Sequence, residues 1–76
     1  MHRERAYAAI RADIVAGVLV EGERLSEERL RNGLGMSRAP VRDALRQLTI
    51  DGFVIRGTGL SIRVAPIPDN DPVSSF

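Results

Sequence analysis

One stretch near the middle of the chain, residues 37–48, has the apolar spacing of a short amphipathic helix. Its apolar side chains fall within one arc of about 100° when the stretch is wound as an α-helix. They are Val41, Ala44, Leu45 and Leu48. Arg38, Arg42 and Arg46 follow at four-residue intervals along the flank of that arc, so their guanidinium groups point the same way. The sequence therefore predicts a helix with one buried face and one arginine face.

The ends of this helix are also marked in the sequence. Ser37 suits the N-cap because its hydroxyl can accept a backbone N–H of the first turn. Pro40 is tolerated in that turn because its missing N–H has no partner within the helix. Asp51-Gly52 predicts the end, since glycine suits a left-handed C-cap position. The predicted helix spans residues 37–50.

Two further helices are predicted before this one. Residues 3–16 carry Tyr7, Ile10 and Ile14 at helical spacing. Gly17 ends that helix, and a turn leads to a brief extended piece at Arg24–Leu25.

The second helix is predicted to start at a Ser26 cap and to run to about Gly33. Glu27 and Glu28 fall in its first turn, where carboxylates suit the positive end of the helix dipole. A short connection, Leu34–Met36, contains a glycine and leads to Ser37. Two helices joined in this way form a helix-turn-helix, whose second helix can enter a DNA major groove.

A β-hairpin is predicted after the helices. Residues 53–56 and 60–64 read as strands joined by the turn 57–59, and alternation places Leu60, Ile62 and Val64 on one face. The fold class is therefore mainly α with a small β-hairpin, a winged helix-turn-helix of three helices plus a two-stranded wing.

The predicted domain covers residues 1–65. Residues 66–76 contain three prolines and no periodicity, so they are predicted to be a linker or a disordered tail.

The basic charge of the chain is concentrated around the helix at 37–50. The formal net charge is only +1, but residues 29–63 carry seven arginines against two acids. All eleven basic residues are arginine, which suits planar bidentate contacts and equally fits a GC-rich genome. The distribution, rather than the total, points to an anionic partner.

Composition excludes several other kinds of site. The chain has no cysteine, so disulfides and cysteine-based zinc sites are ruled out, and no cofactor or metal is expected. No apolar run is long enough to span a membrane, and residues 1–20 lack the order of a signal peptide. We expect a cytoplasmic protein without a membrane partner. Enzymatic activity has the least support, because no constellation of histidine, cysteine or carboxylates is present to carry it.

Three motifs together resemble a known family. They are Gly22–Glu28, Leu34–Leu45 and Asp51–Val54. Over residues 6–65 the chain resembles the N-terminal DNA-binding domain of GntR-family bacterial transcriptional regulators, most closely the FadR-type branch. The resemblance implies a winged helix-turn-helix, dimeric repressors or activators, and short palindromic operators in double-stranded DNA.

The resemblance also implies which residues contact DNA. It places Ser37, Arg38, Ala39 and Arg42 at the DNA end of the recognition helix, and Thr58 and Gly59 at the tip of the wing, 57–59. Arginine chemistry adds that Arg38 and Arg42 suit guanine O6 and N7, whereas Arg46, further along, suits a phosphate. The wing tip would meet the minor groove or the backbone.

Two features depart from the family pattern. Arg31 stands where relatives usually have alanine, and Asn32-Gly33 stands where good helix formers are usual, which predicts a frayed, tilted or shortened second helix. About eleven residues follow the wing, where FadR-type regulators normally continue into a C-terminal effector domain. We therefore expect either a truncated domain or a regulator without a ligand sensor, and a homodimer that is weak without the effector domain.

Other readings of the same residues remain open at this point. An arginine row can be a solvated face, Asp43 can pair with Arg46 or Arg42, and Gly57 and Gly59 can serve only as turn residues. A winged helix could also be a protein–protein interaction module that binds an acidic partner. The apolar residues assigned to the core are Tyr7, Ile10, Ile14, Leu30, Leu34, Val41, Leu45, Leu48, Phe53, Ile62 and Val64.

Overall fold

The computed structural model of the chain describes residues 2–57 and 61–66. The elements in chain order are α1 (His2–Val15), α2 (Glu27–Leu34), α3 (Arg38–Ile50), β1 (Val54–Arg56) and β2 (Ile62–Val64). Three helices followed by a two-stranded antiparallel sheet confirm the predicted winged helix-turn-helix. Of the predicted tail, 66–76, only Pro66 lies within the described residues.

The core lies between α1 and α3. On α1 the fully buried side chains are spaced by four residues, Ala6, Ile10 and Ile14. They meet the four buried residues of α3, Val41, Ala44, Leu45 and Leu48. Every side chain assigned to the core from the sequence is either buried or packed against this cluster, which confirms the assignment.

The start of α2 is capped as predicted. The hydroxyl oxygen of Ser26 accepts a hydrogen bond from the backbone N–H of Arg29 at 3.2 Å. Ser26 itself is extended, with φ −113° and ψ 124°, which is usual for an N-cap residue.

The end of α2 is formed by a left-handed glycine. Gly35 adopts a left-handed conformation, with φ 67°, and the N–H of Met36 reaches back to the carbonyl of Arg31 at 3.0 Å. This is a Schellman ending, which satisfies carbonyls that a helix otherwise leaves without partners. The helix continues through Gly33 and ends at Leu34, one residue beyond the predicted end near Gly33.

A similar ending leads from α3 into the sheet. Gly52 has φ 89°, and the N–H of Phe53 donates to the carbonyl of Leu48 at 2.9 Å. In the hairpin, Ile55 of β1 lies opposite Arg63 of β2. β1 begins one residue later than predicted and β2 begins at Ile62, while Leu60 of the predicted second strand lies outside the described residues.

A third segment pairs with the other edge of β2. The N–H of Leu25 donates to the carbonyl of Ile62 at 2.8 Å, and the N–H of Val64 donates to Glu23 at 2.9 Å. Arg24 lies opposite Arg63 as an isolated bridge, which confirms the predicted extended piece. The base of the wing is thereby attached to the residues that immediately precede α2.

Candidate nucleic-acid interface

The first turns of α3 are exposed at the edge of the molecule. Ser37, Arg38, Ala39 and Arg42 are all exposed, while Val41 between them is buried. A helix that buries one face in this way presents the others to solvent or to a ligand.

The predicted cap at Ser37 is wrong in one respect. Its backbone is extended, with φ −76° and ψ 174°, but its hydroxyl makes no capping hydrogen bond within the described part of the chain. In α2 the donor to the cap is the N–H of Arg29, the third residue after Ser26. The equivalent residue in α3 is Pro40, which has no N–H to donate.

The strongest polar contact of this edge joins α3 to α2. Nε of Arg42 lies 3.2 Å from Oε2 of Glu27, and Nη2 of Arg42 lies 3.4 Å from Oε1. The hydrogen bond to Glu27, followed by the charge of that carboxylate, raises the pKa of Arg42 above its ordinary value. Glu27 therefore stabilises the positive charge of Arg42.

The other two arginines of the row have looser contacts. Nε of Arg38 lies 4.0 Å from Oε1 of Glu27, and Nη1 of Arg46 lies 3.9 Å from Oδ1 of Asp43. Both arginine side chains are 66% exposed, so these ion pairs hold them weakly. The predicted pairing of Asp43 with Arg46 is therefore present, and it leaves the arginine open to another partner.

A groove of about 910 Å³ runs beside these side chains, between α2, α3 and the sheet. Six arginines and two glutamates line it, namely Arg24, Arg31, Arg38, Arg42, Arg46, Arg56, Glu27 and Glu28. Converging guanidiniums of this number attract an anion with several charges, such as a phosphate backbone.

The structure brings together only some of the residues predicted to bind DNA. Arg38, Arg42 and Arg46 line the groove, whereas Ser37 and Ala39 lie beside it at the start of α3. Thr58 and Gly59, predicted for the wing tip, lie outside the described residues.

Sequence reasoning missed the groove itself. Arg24 and Arg56 reach it only because the sheet brings the ends of the two segments together, which helical spacing does not reveal. Arg31 was expected to disturb α2, but it is half-buried and lines the groove. Glu27 was assigned only to the helix dipole, and its contact with Arg42 was not foreseen.

Within residues 2–57 and 61–66, no three histidine, cysteine or carboxylate side chains lie close enough to hold a metal ion together. Over the same ranges, no helix has the length and apolarity needed to cross a membrane.

Comparisons with curated proteins identify relatives among transcriptional regulators. The chain is 38% identical over 48 residues to YdhC of Bacillus subtilis, an uncharacterised HTH-type transcriptional regulator. It is 36% identical over 52 residues to an uncharacterised HTH-type regulator of Mycobacterium tuberculosis. The matches cover 63% and 68% of this chain but only 21% of each relative. The matched segments thus span about a fifth of the length of these proteins.

Solved structures show the same fold. A GntR-family regulator from Pseudomonas syringae has a TM-score of 0.79 and 34% identity, covering 88% of this chain and 28% of that protein. Lar, which controls expression of the agr system of Listeria monocytogenes, also has a TM-score of 0.79, with 31% identity. That match covers 84% of this chain and 30% of Lar.

The family model of the gntR family of bacterial regulatory proteins matches residues 2–64, which include all three helices and both strands. The arginine-lined edge thus lies on a helix-turn-helix found in transcriptional regulators. The chain belongs to the gntR family of bacterial regulatory proteins and is a DNA-binding domain of that family.

Proposed function

We propose that the domain reads a specific sequence in double-stranded DNA, with α3 lying in the major groove. The observation that carries this proposal is the groove with its six arginines, which runs beside the exposed first turns of α3. In a helix-turn-helix the N-terminal residues of the second helix reach the base edges, while the surrounding basic side chains contact phosphates.

Arg38 and Arg42 are the proposed base-reading residues. An arginine can donate two hydrogen bonds to O6 and N7 of a guanine, and such a pair contributes about 1–3 kcal/mol of discrimination against other bases. Both residues lie in the first turns of α3 and both are exposed.

The remaining predicted residues are assigned to positioning on the duplex. Arg46 lies about one turn beyond Arg42 and suits a phosphate. The hydroxyl of Ser37 has no capping partner among the described residues, which leaves it able to donate to a phosphate. Ala39 suits a thymine methyl, and Thr58-Gly59 of the wing suits the minor groove or backbone.

We further propose that residues 1–65 act as one DNA-binding unit of a FadR-type regulator. The motifs of the sequence support that branch, and two copies would occupy the half-sites of a palindrome. Binding by a single unit is expected to be weak, because linking two units raises their effective concentration at the second half-site.

Selection of bound duplexes from a random-sequence pool would test this function. The 76-residue chain should enrich one sequence, and anisotropy titrations should give a lower Kd for that duplex than for a scrambled duplex. Arg38→Ala and Arg42→Ala should weaken binding to the selected duplex more than binding to the scrambled one. Arg46→Ala should weaken both alike and reduce the slope of log K against log salt by about 1.

A matched control is Arg5→Ala, which removes the same charge from an exposed residue of α1 outside the groove. It should change the two affinities far less than Arg42→Ala. Equal affinity for every duplex would refute sequence-specific reading. Binding to an acidic protein, without binding to DNA at low salt, would instead support the interaction-module alternative.

A further inference from the structure

Among the described residues, Glu27 is the acid whose carboxylate forms ion pairs with both proposed base-reading residues, Arg38 and Arg42. It is the first residue of α2, and its carboxylate spans the gap to α3 by the two-point contact with Arg42. Its side chain is 31% exposed, and that of Arg42 is 54% exposed, so the pair lies at the surface of the groove. An acid beside a DNA-binding edge should repel phosphates, which raises the question of what it contributes.

The geometry of the contact supplies an answer. Glu27 occupies the edge of the guanidinium formed by Nε and Nη2. A guanidinium has five N–H donors, so the hydrogens on Nη1 and the second hydrogen on Nη2 remain unused by this contact. One hydrogen of Nη1 and the second hydrogen of Nη2 lie side by side at the outer end of the side chain. They form a second edge with two donors, which matches O6 and N7 of guanine. Arg42 can therefore hold Glu27 and a guanine at the same time.

The contact with Glu27 has two effects on DNA recognition by Arg42. A side chain that is already oriented loses less conformational entropy when it binds, which favours the correctly placed base. The negative charge of Glu27 weakens the attraction of the groove to phosphates. In specific binding the contact of Arg42 with a base offsets this loss, whereas in non-specific binding nothing does. Both effects increase the difference between specific and non-specific binding.

We propose that Glu27 is a positioning residue that sets base specificity by holding Arg42 with its outer edge toward a guanine. This inference rests on the proposed DNA-reading function. Glu27 itself touches no base in this arrangement and acts through Arg42. The 4.0 Å approach of Arg38 to the same carboxylate makes Arg38 a weaker second partner.

The test compares Glu27→Gln with Glu28→Gln. Both substitutions remove one negative charge from the first turn of α2, but Glu28 forms no ion pair with any described residue. For each variant of the 76-residue chain, anisotropy gives the Kd for the selected duplex and for a scrambled duplex. The specificity ratio is the Kd for the scrambled duplex divided by the Kd for the selected duplex.

Glu27→Gln should tighten binding to the scrambled duplex and lower the specificity ratio by about three- to tenfold, part of the discrimination of one arginine–guanine pair. Glu28→Gln should tighten binding to both duplexes alike and leave the ratio unchanged. In the Arg42→Ala background, Glu27→Gln should have no further effect on the specificity ratio, because the arginine through which Glu27 acts on the base is missing. Thermal melts by circular dichroism should confirm that all variants are folded.

Several outcomes would overturn the inference. If Glu27→Gln behaves like Glu28→Gln, Glu27 only repels phosphate. If Glu27→Gln lowers the ratio equally in the Arg42→Ala background, it acts through another residue. If the unmodified chain prefers the selected duplex but Glu27→Gln leaves the specificity ratio unchanged, the positioning role is refuted and the proposed function stands. If the unmodified chain prefers no duplex, both proposals fail.

Discussion

The two helices that pack against α3 are held to it in different ways. α1 contributes three fully buried side chains to the core, Ala6, Ile10 and Ile14. None of the residues of α2, all of which the structure describes, is fully buried; Leu30 and Leu34 pack only partly against the core. An ion pair from Glu27 completes the contact of α2 with α3.

This difference separates support from recognition. Apolar packing is non-directional and depends on buried area, so the side of α3 that faces α1 sets its position. The side that faces α2 keeps polar atoms exposed, and these remain able to exchange partners with a ligand. The following substitutions test that division.

The largest effect is expected on the α1 side. Leu48→Ala removes a side chain with 0% exposure and should lower the free energy of unfolding by about 2–5 kcal/mol. Ile50→Ala, in the same helix but 71% exposed, should change it by less than about 0.5 kcal/mol. Urea denaturation followed by circular dichroism would measure both. A loss for Leu30→Ala on α2 as large as that for Leu48→Ala would break the comparison.

The two glycines of the α2 region should respond in opposite directions. Gly35→Ala forces a side chain into a left-handed conformation and should cost about 1–2 kcal/mol. Gly33→Ala lies inside the helix, where an added Cβ meets no described atom within 4 Å, and should stabilise by about 0.5–1 kcal/mol. Melting temperatures of the two variants would show the opposite signs. Destabilisation by Gly33→Ala would mean that α2 is strained at that residue.

The two serines that precede helices should also differ. Ser26→Ala removes a cap hydrogen bond and should cost about 1 kcal/mol. Ser37→Ala should cost only a few tenths of that, because its hydroxyl caps nothing among the described residues. Chemical denaturation of the two variants in parallel would provide the measurement. Equal losses would show that Ser37 does stabilise α3.

The smallest effect concerns a polar contact at the edge of the α1 side. The hydroxyl of Tyr7 donates a hydrogen bond to Asp51, and that bond raises the pKa of Tyr7 above 10.0. A raised pKa means that the folded state holds the tyrosine proton more tightly than the unfolded state does. The hydrogen bond therefore stabilises the fold below pH 10, and this stabilisation is lost as the pH rises through the raised pKa. Tyr7→Phe should cost less than about 1 kcal/mol at pH 8. The difference in the free energy of unfolding between Tyr7→Phe and the unmodified chain should shrink in denaturation series above pH 10. A difference that stays constant with pH would contradict this account.

Local patterns predicted the elements of the fold well. The helical spacing of Ile10 and Ile14, and the apolar arc of α3, depend only on neighbours along the chain, so the buried faces could be read directly. The missing cap at Ser37 was also readable, because Pro40 occupies the position of the donor. Pro40 leaves Ala39 as the remaining residue whose N–H could donate to the Ser37 hydroxyl, and that hydrogen bond is not formed.

The arrangement of the site was less predictable because it depends on contacts between distant segments. The pair between Glu27 and Arg42 exists because the turn at Gly35 sets the crossing of α2 and α3. Arg24 and Arg56 enter the groove through the sheet, where β2 pairs on both edges. Neither arrangement follows from spacing along one helix.

The pairing of residues 22–25 with β2 bears on how the domain folds. The hydrogen bond from Leu25 to Ile62 closes a loop that contains α2, α3 and β1, that is, the whole helix-turn-helix. Closing a long loop costs entropy before its contacts contribute, and the contacts of α1 with the end of α3 close a loop of similar length, as with Tyr7 and Asp51, 44 residues apart. This sheet edge should therefore form together with the helical core rather than before it. The groove would then be assembled in the same step as the core, and its arginines would stay dispersed in chains in which the core has not formed.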